Sequence, residues 1–313
     1  MKNSFLVIYV SLLCVRAFSQ PTITPFESSG GKSSATYSQV ISFYTQLTRL
    51  SPKVRIQQWD TTDAGYPLHL IIFSNTLDFT PANWRKKKKL VLLVNNGIHP
   101  GEPDGIDASM MFLRDMVTGK VKVPDNIVFA VIPVYNIGGA LNRNSFSRVN
   151  QQGPLEYGFR GNAQNLDLNR DFTKNDSKNA RAFARIYHHL QPHVFMDNHV
   201  SDGADYQHTM TLLSTQHNKL GYAVGKLLHQ VIEPALYDAM RAKKFPLCPY
   251  VSFEEGSPEK GWVAFNDAPR YSSGYTSLFQ TIGFTPETHM LKPFAERVQS
   301  TYALMLSLSL IHI

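Results

Sequence analysis

The chain has 313 residues, 43% of them hydrophobic and 18% charged, with 31 Lys and Arg against 24 Asp and Glu. This is an ordinary globular composition, with enough chain for a sizeable core in one large domain or two smaller ones. The positive balance is modest, and no aromatic residues interleave with the one basic run, Arg85 to Lys89, which reads as a solvated loop and argues against nucleic-acid binding.

The N-terminus stands apart. Lys2 supplies a positive start, Phe5 to Val15 is mostly apolar, and Ala17-Phe18-Ser19 places small residues at the −3 and −1 positions of a cleavage site. This pattern predicts a secretory signal peptide over residues 1–19 and a secreted or periplasmic location; the run is too short to span a membrane as a helix. Its removal leaves 29 Lys and Arg against 24 acids, a net charge of +5, and Cys248 as the remaining cysteine. No intrachain disulfide is then possible, so the fold relies on its core or on a metal.

Residues 20–36 are rich in Pro, Ser and Gly and read as a flexible lead-in. Tyr37 to Leu50 carries Val40, Ile41, Tyr44 and Leu47 on one helical face. Val54 to Trp59 and Leu68 to Phe73 predict strands around a turn at Ala64–Pro67. Leu90 to Val94 predicts a buried strand, followed by a Gly- and Pro-punctuated loop and a helix over Ile106 to Met116. Val128 to Pro133 is another apolar run, bounded by a turn at Asn136–Gly139. The polar stretch from Ala140 to Phe172 lacks periodicity, and loops of that length are usually functional or disordered.

Ser177 to Leu190 then reads as a helix, and Val194 to Asp197 and Met210 to Leu213 as short strands. Gln216 to Lys243 reads as one long helix or a pair broken at Pro234, and Phe245 to Ser273 as irregular. Ile282 to Glu287 is a last strand and Ala295 to Ile311 a closing helix. Strands alternating with helices predict one α/β domain with helices on both faces of the sheet. The apolar end, Leu304 to Ile313, stops abruptly and reads as a chain cut before a downstream domain.

Chemistry-bearing residues collect at the ends of these strands, where open α/β sheets bind ligands. His99 and Glu102 follow the Leu90 strand, and His199 follows the Val194 strand. A short-spaced pair plus one distant ligand can converge on one zinc and leave a fourth position open for water. Glu287 ends an apolar strand, where a carboxylate is out of place unless it faces a site; beside a zinc-bound water it is suited to act as general base. In the polar stretch, Asn169 and Arg170 offer an amide and a guanidinium side by side, suited to gripping a carboxylate. Arg160 can face a developing oxyanion, and Asp167 can accept the second N–H of a zinc-bound His.

Taken together, these residues resemble the zinc carboxypeptidase family, the group that includes carboxypeptidases A and B. His99-Pro100-Gly101-Glu102 matches its H-x-x-E metal motif, and Asp167-Leu168-Asn169-Arg170 its D-x-N-R segment. Asp197-Asn198-His199 matches D-x-H, and Phe284-Thr285-Pro286-Glu287 matches F-T-x-E. Four motifs in family order span about 190 residues, and the resemblance covers Tyr37 to the C-terminus. It implies a mixed, mostly parallel sheet of the phosphorylase/hydrolase type and one zinc per chain held by His99, Glu102 and His199. That His₂Glu set is the known set of carboxypeptidase A and comes with the resemblance.

The resemblance also implies Glu287 as general base and acid, Asn169 and Arg170 as the clasp of the substrate carboxylate, and Asp167 as the partner of His99. Arg160, nine residues before Asn169, resembles the oxyanion arginine of the cytosolic, deglutamylating branch. The family's mobile tyrosine has two candidates, Tyr271 and Tyr275, with Tyr271 favoured.

The sequence departs from the pancreatic enzymes at three places. Gly101 stands where they carry an Arg beside the metal Glu, which removes an auxiliary carboxylate contact; Asp171 stands where an Asn is usual; and the stretch between Tyr135 and Asn169 is spaced differently. The expected function is an exported zinc metallocarboxypeptidase acting on peptide or protein C-termini as a monomer, without a membrane span. Two rivals stand beside it: an amide hydrolase on acyl amino acids or cell-wall peptides using the same site, and a non-catalytic peptide- or carbohydrate-binding module. The floor of the specificity pocket falls between Ser252 and Phe279, a segment offering Glu254, Glu255, Asp267 and several aromatics. An acid there would favour Lys or Arg, an apolar floor aromatic residues.

Overall fold

The computed structural model describes residues 22–311 except 204. The expected leader over residues 1–19 lies outside that range. The strands are β1 (Val54–Thr61), β2 (Pro67–Ser74), β3 (Leu90–Asn95), β4 (Ile127–Ile132), β5 (Val194–Asp197), β6 (His199–Ser201), β7 (Met210–Ser214), β8 (Leu247–Pro249), β9 (Val251–Phe253), β10 (Trp262–Ala264) and β11 (Ile282–His289). The helices are α1 (Pro25–Ser28), α2 (Tyr37–Leu50), α3 (Pro81–Lys86), α4 (Asp104–Val117), α5 (Ile137–Leu141), α6 (Lys178–Leu190), α7 (Gly221–Leu227), α8 (Glu233–Ala242), α9 (Ser272–Ser277) and α10 (Phe294–Ile311).

The central sheet runs β1-β2-β4-β3-β5-β11-β7-β8, with β6 beside β11. Strands β4, β3, β5 and β11 are mutually parallel, as are β7 and β8; β1–β2, β2–β4 and β7–β11 are antiparallel. This is the mixed, mostly parallel sheet expected. Its inner strands are continuous apolar runs because both faces are covered. On β4, Phe129 and Val131 pack into the core under α2, α4 and α10, while Val128, Ala130 and Ile132 pack into the core under α6.

Several expectations shift. Residues 22–34 are packed rather than a loose lead-in: Thr24 and Glu27 form a reciprocal cap on α1, and Phe26 meets Phe294 edge-on at 5.5 Å. The turn expected at Asn136–Gly139 is the start of α5, capped by the Asn136 side chain on Gly139 N–H. Of the basic run, Arg85 and Lys86 close α3, and Lys89 is buried and donates to the Thr76 hydroxyl. Between Gln216 and Lys243 a widened π-turn, Leu228–Ile232, separates α7 from α8. Pro234 follows directly on that widened turn inside a continuous helical run, and the π-turn accommodates the hydrogen bond a proline cannot make.

Two local features aim the site. Strand β11 pairs with β5 through Phe284 and with β6 from Glu287 onward, leaving Thr285 and Pro286 unpaired on that side. A proline has no N–H to give, so it fits that gap in an otherwise central strand. Helix α4 begins close under the strand ends: a Cβ on Gly105 would lie 2.4 Å from both Asn198 Cβ and Asn96 Oδ1, so only glycine fits.

Asp107 in α4 is fully buried; its Oδ1 accepts the Ala35 N–H at 3.1 Å and its Oδ2 has no partner. Burial, partly opposed by that N–H, pushes its carboxyl from 3.8 up to about 8. The folded chain therefore holds a proton that the unfolded chain releases, and this group's contribution to stability falls as pH rises from about 4 to about 8. Asp107→Asn should raise Tm over the native chain at pH 8 and lose most of that advantage near pH 4, measured by calorimetry across pH.

Candidate metal centre

His99 sits in the loop that leaves β3, four residues past its last residue Asn95. Glu102 precedes α4, and His199 opens β6. All three are buried, and one donor atom from each lies within 4.8 Å of the others. Glu102 Oε1 is 3.2 Å from His99 Nδ1, and Oε2 is 3.2 Å from His199 Nδ1. Two imidazole nitrogens and a carboxylate facing one point are a donor set that zinc accepts.

The opposite edge of each ring is also held. His99 Nε2 lies 3.0 Å from Asp167 Oδ1, and His199 Nε2 lies 3.0 Å from Asp197 Oδ2. A carboxylate there favours Nε2 as the N–H and leaves the Nδ1 lone pair on the side of Glu102, where a metal would be held. Asp197 is itself steadied by Asn95 Nδ2, which donates to Oδ1 at 2.9 Å. For Asp167, burial pushes upward, but the His99 hydrogen bond and the charges of His99 and Arg160 hold its carboxyl well below the ordinary range.

Glu287 enters from β11. Its strand register sets it opposite His199 on one side and opposite Thr211 of β7 on the other. Burial pushes its carboxyl up to about 7; His199 opposes this and the Glu102 charge adds to it. Glu102, also buried, is held well below the ordinary range: burial raises it, and the charges of His99 and Arg148 outweigh that. Two carboxyls in one cavity are thus driven apart, one kept charged and the other raised toward neutrality.

The remaining predicted residues line the same cavity, about 290 Å³ in volume. Arg160 donates from Nε and Nη2 to Asp167 Oδ2 at 3.1 and 2.9 Å, and its Nη1 lies 3.4 Å from His99 Nδ1. Asn169 and Arg170 lie in a short 3₁₀ turn, and Asn169 Oδ1 is buried without a partner. Tyr271 covers Arg170, with the guanidinium carbon 4.7 Å from the ring centroid. Tyr275 is excluded from the cavity: its hydroxyl is 3.0 Å from His188 Nε2 and its ring packs on Phe172 and Phe183.

Sequence reasoning missed two residues. Arg148 donates to Glu102 Oε1 at 2.8 Å, and Tyr250 lines the cavity, its phenol pushed up to about 12 by burial and the Glu287 charge. A lone Arg in a polar loop and a Tyr in an irregular segment carry no spacing signal that singles them out.

A buried His–Glu–His set at the carboxyl ends of sheet strands, beside a carboxylate raised to near neutrality, is the arrangement of a metal-dependent hydrolase. The chain matches the zinc carboxypeptidase family model over residues 40–222, which is more than half its length, and belongs to that family. Zinc is the metal of that family, and the donor set fits it. Among solved structures, a metallo-carboxypeptidase from Burkholderia cenocepacia superimposes with a TM-score of 0.63 at 15% identity, covering 89% of this chain and 69% of that one. A Pseudomonas aeruginosa metallo-carboxypeptidase in complex with (2-guanidinoethylmercapto)succinic acid gives 0.65 at 12% identity, covering 89% and 69%. Carboxypeptidase A from Helicoverpa armigera gives 0.64 at 14% identity, covering 90% and 73%. At these identities the likeness is one of fold. No curated protein matches the sequence significantly.

The protein loaded with zinc should carry one equivalent per chain by atomic emission, and Glu102→Ala or His199→Ala should carry almost none after the same gel filtration.

Proposed function

We propose that this chain is an exported carboxypeptidase that removes apolar or aromatic residues from the C-termini of peptides. What carries the reading is the strand register that sets Glu287 opposite His199, in one cavity with Asn169 and Arg170. Export rests on the leader pattern of residues 1–19; among the described residues no helix is long and apolar enough to cross a membrane.

Bound by His99, Glu102 and His199, zinc would supply a Lewis acid that polarises a carbonyl and brings the pKa of water to about 7. Asn169 and Arg170 hold the terminal carboxylate of the substrate, which sets the last peptide bond near Glu287. Glu287 takes the proton of the attacking water and returns it to the leaving amine; burial favours the protonated carboxyl, which suits it to hold that proton between the two steps. The Nη1 of Arg160, turned toward His99, donates to the oxyanion as it forms. Tyr271 closes over Arg170 and excludes water.

The choice of side chain follows from the cavity wall. Beside Glu287 it includes the uncharged Leu213, Tyr250, Phe265, Ser273 and Thr285, and the acid that lines the cavity besides Glu102 and Glu287 is Asp202, which is exposed to solvent. Tyr250, Phe265 and Tyr271 form an edge-to-face row at 6.0 and 5.1 Å. None of the candidate acids lines the cavity: Glu254 and Glu255 are exposed, and Asp267 is spent on Lys219 at 2.7 Å. A Lys or Arg side chain buried among the uncharged residues would have only the solvent-exposed Asp202 as an acidic partner outside the metal centre, and a buried cation without a close partner costs several kcal/mol.

The test incubates the zinc-loaded protein with peptides ending in Phe, Leu, Lys or Glu, each free or amidated, and reads the products by mass spectrometry. Single-residue loss is expected from free Phe and Leu termini, with amidated peptides intact and Glu287→Gln slower by about 10²–10⁴-fold. Preferred release of Lys would overturn the pocket assignment. Intact peptides throughout, with turnover of acyl amino acids or cell-wall peptides, would overturn the carboxypeptidase reading.

A further inference from the structure

The residue before the metal carboxylate is Gly101, and the space its side chain would fill is already taken. A Cβ there would lie 2.9 Å from Arg148 Cδ and 3.1 Å from the Gly158 carbonyl. The stem of Arg148 runs through that space from the irregular segment between α5 and α6. Its guanidinium then makes three directed contacts. Nη1 donates to Glu102 Oε1 at 2.8 Å, Nη2 to the Val200 carbonyl at 2.9 Å, and Nε to Gln151 Oε1 at 2.6 Å. Gln151 closes the ring by donating from Nε2 to the Gly101 carbonyl at 3.0 Å. The backbone of Arg148 is pinned as well: its N–H donates to the Tyr157 hydroxyl at 3.1 Å, and that hydroxyl lies 3.2 Å from the Arg148 carbonyl.

One planar fork thus ties the segment carrying His99 and Glu102 to the segment carrying His199. The side chain is only 12% exposed, so the contacts are made in a dry setting where a lone cation would be costly. Glu102 Oε2 accepts the Val200 N–H at 2.9 Å, so the two oxygens of Glu102 have one donor each besides the imidazoles. Together these donors fix the rotation of the carboxylate with one oxygen facing each Nδ1.

We propose that Arg148 is a positioning residue of the metal centre, filling from a distant loop the space that Gly101 leaves open, and that it sets zinc affinity by holding the Glu102 carboxylate in its binding rotamer. The proposal rests on His99, Glu102 and His199 as the zinc ligands. Its effect passes through hydrogen-bond geometry, so charge alone does not replace it. A Lys ammonium is a point donor and cannot reach Glu102 and the Val200 carbonyl with the fixed fork of an Arg.

The experiment measures zinc affinity of the metal-free native chain, Arg148→Gln and Arg148→Lys by chelator competition, and records the visible absorption of each loaded with Co²⁺. Partners of metal ligands usually contribute 10- to 100-fold in affinity. Arg148→Gln should bind zinc about 10- to 100-fold more weakly with a shifted Co²⁺ spectrum, and Arg148→Lys should recover only part of the loss. Equal or tighter zinc binding by Arg148→Gln, with an unchanged Co²⁺ spectrum, would overturn the proposal. So would full recovery by Arg148→Lys. If Arg148→Gln does not fold, Gln151→Ala weakens the same fork, and unchanged zinc affinity in it overturns the proposal equally. Failure of the native chain to bind zinc would instead overturn the ligand assignment on which this rests.

Discussion

Glu102 is a carboxylate removed almost entirely from water, and the surrounding structure is arranged to make that tolerable. A bare carboxylate in such a place would take up a proton and stop being a metal ligand. It stays charged because His99, Arg148 and the Val200 N–H surround it. Those groups come from the loop after β3, from the polar stretch before α6, and from β6, so this one charge is met only when three distant segments are in place.

The same demand explains a second buried ion pair behind the first. Arg297 of α10 is fully buried and donates from Nε to Asp104 Oδ2 at 2.9 Å, at the start of α4. It also donates to the carbonyls of Gly153 and Lys292 at 2.9 and 2.8 Å. Breaking one partner of such a pair typically costs 3–5 kcal/mol, because the other is left charged and dry. Its contacts to the Gln152 and Gly153 carbonyls fasten the loop just past Arg148 and Gln151. The core under α10 and the metal centre are therefore coupled through backbone carbonyls as well as through packing.

The two halves of the site have different origins in the fold. The metal ligands and Glu287 sit on β6, β11 and the loop after β3, where parallel strands deliver their carboxyl ends to one edge. Asn169 and Arg170 come from an irregular segment with little regular structure of its own, held by Asp167, Arg160 and a 3₁₀ turn. A rigid sheet suits groups that must converge on one point.

Much of this was legible in the sequence. The apolar runs of β3, β4 and β11 and the amphipathic faces of α2 and α6 follow from burial on two faces or on one, which periodicity reports directly. His99, Glu102, His199 and Glu287 stood out because charged or ligating residues end apolar strands, and Asp167, Asn169 and Arg170 because they lie together in one motif. What periodicity could not reach was decided by contacts between residues far apart in sequence. Tyr271 and Tyr275 are near neighbours in the same local pattern, and only the packing of α9 against α6 sends one into the core and leaves the other over Arg170. The short helix α1 is held by Phe294 and Arg114, neither of which its own composition announces. The lining of the cavity and the seat of Arg148 beside Gly101 depend on which side chains meet across the sheet edge. The sequence alone therefore determined the chemistry available to this protein, because residue type and local burial pattern are properties of short segments. The tertiary structure alone decided what surrounds that chemistry, because charge neutralisation and pocket shape are made by segments that meet only on folding.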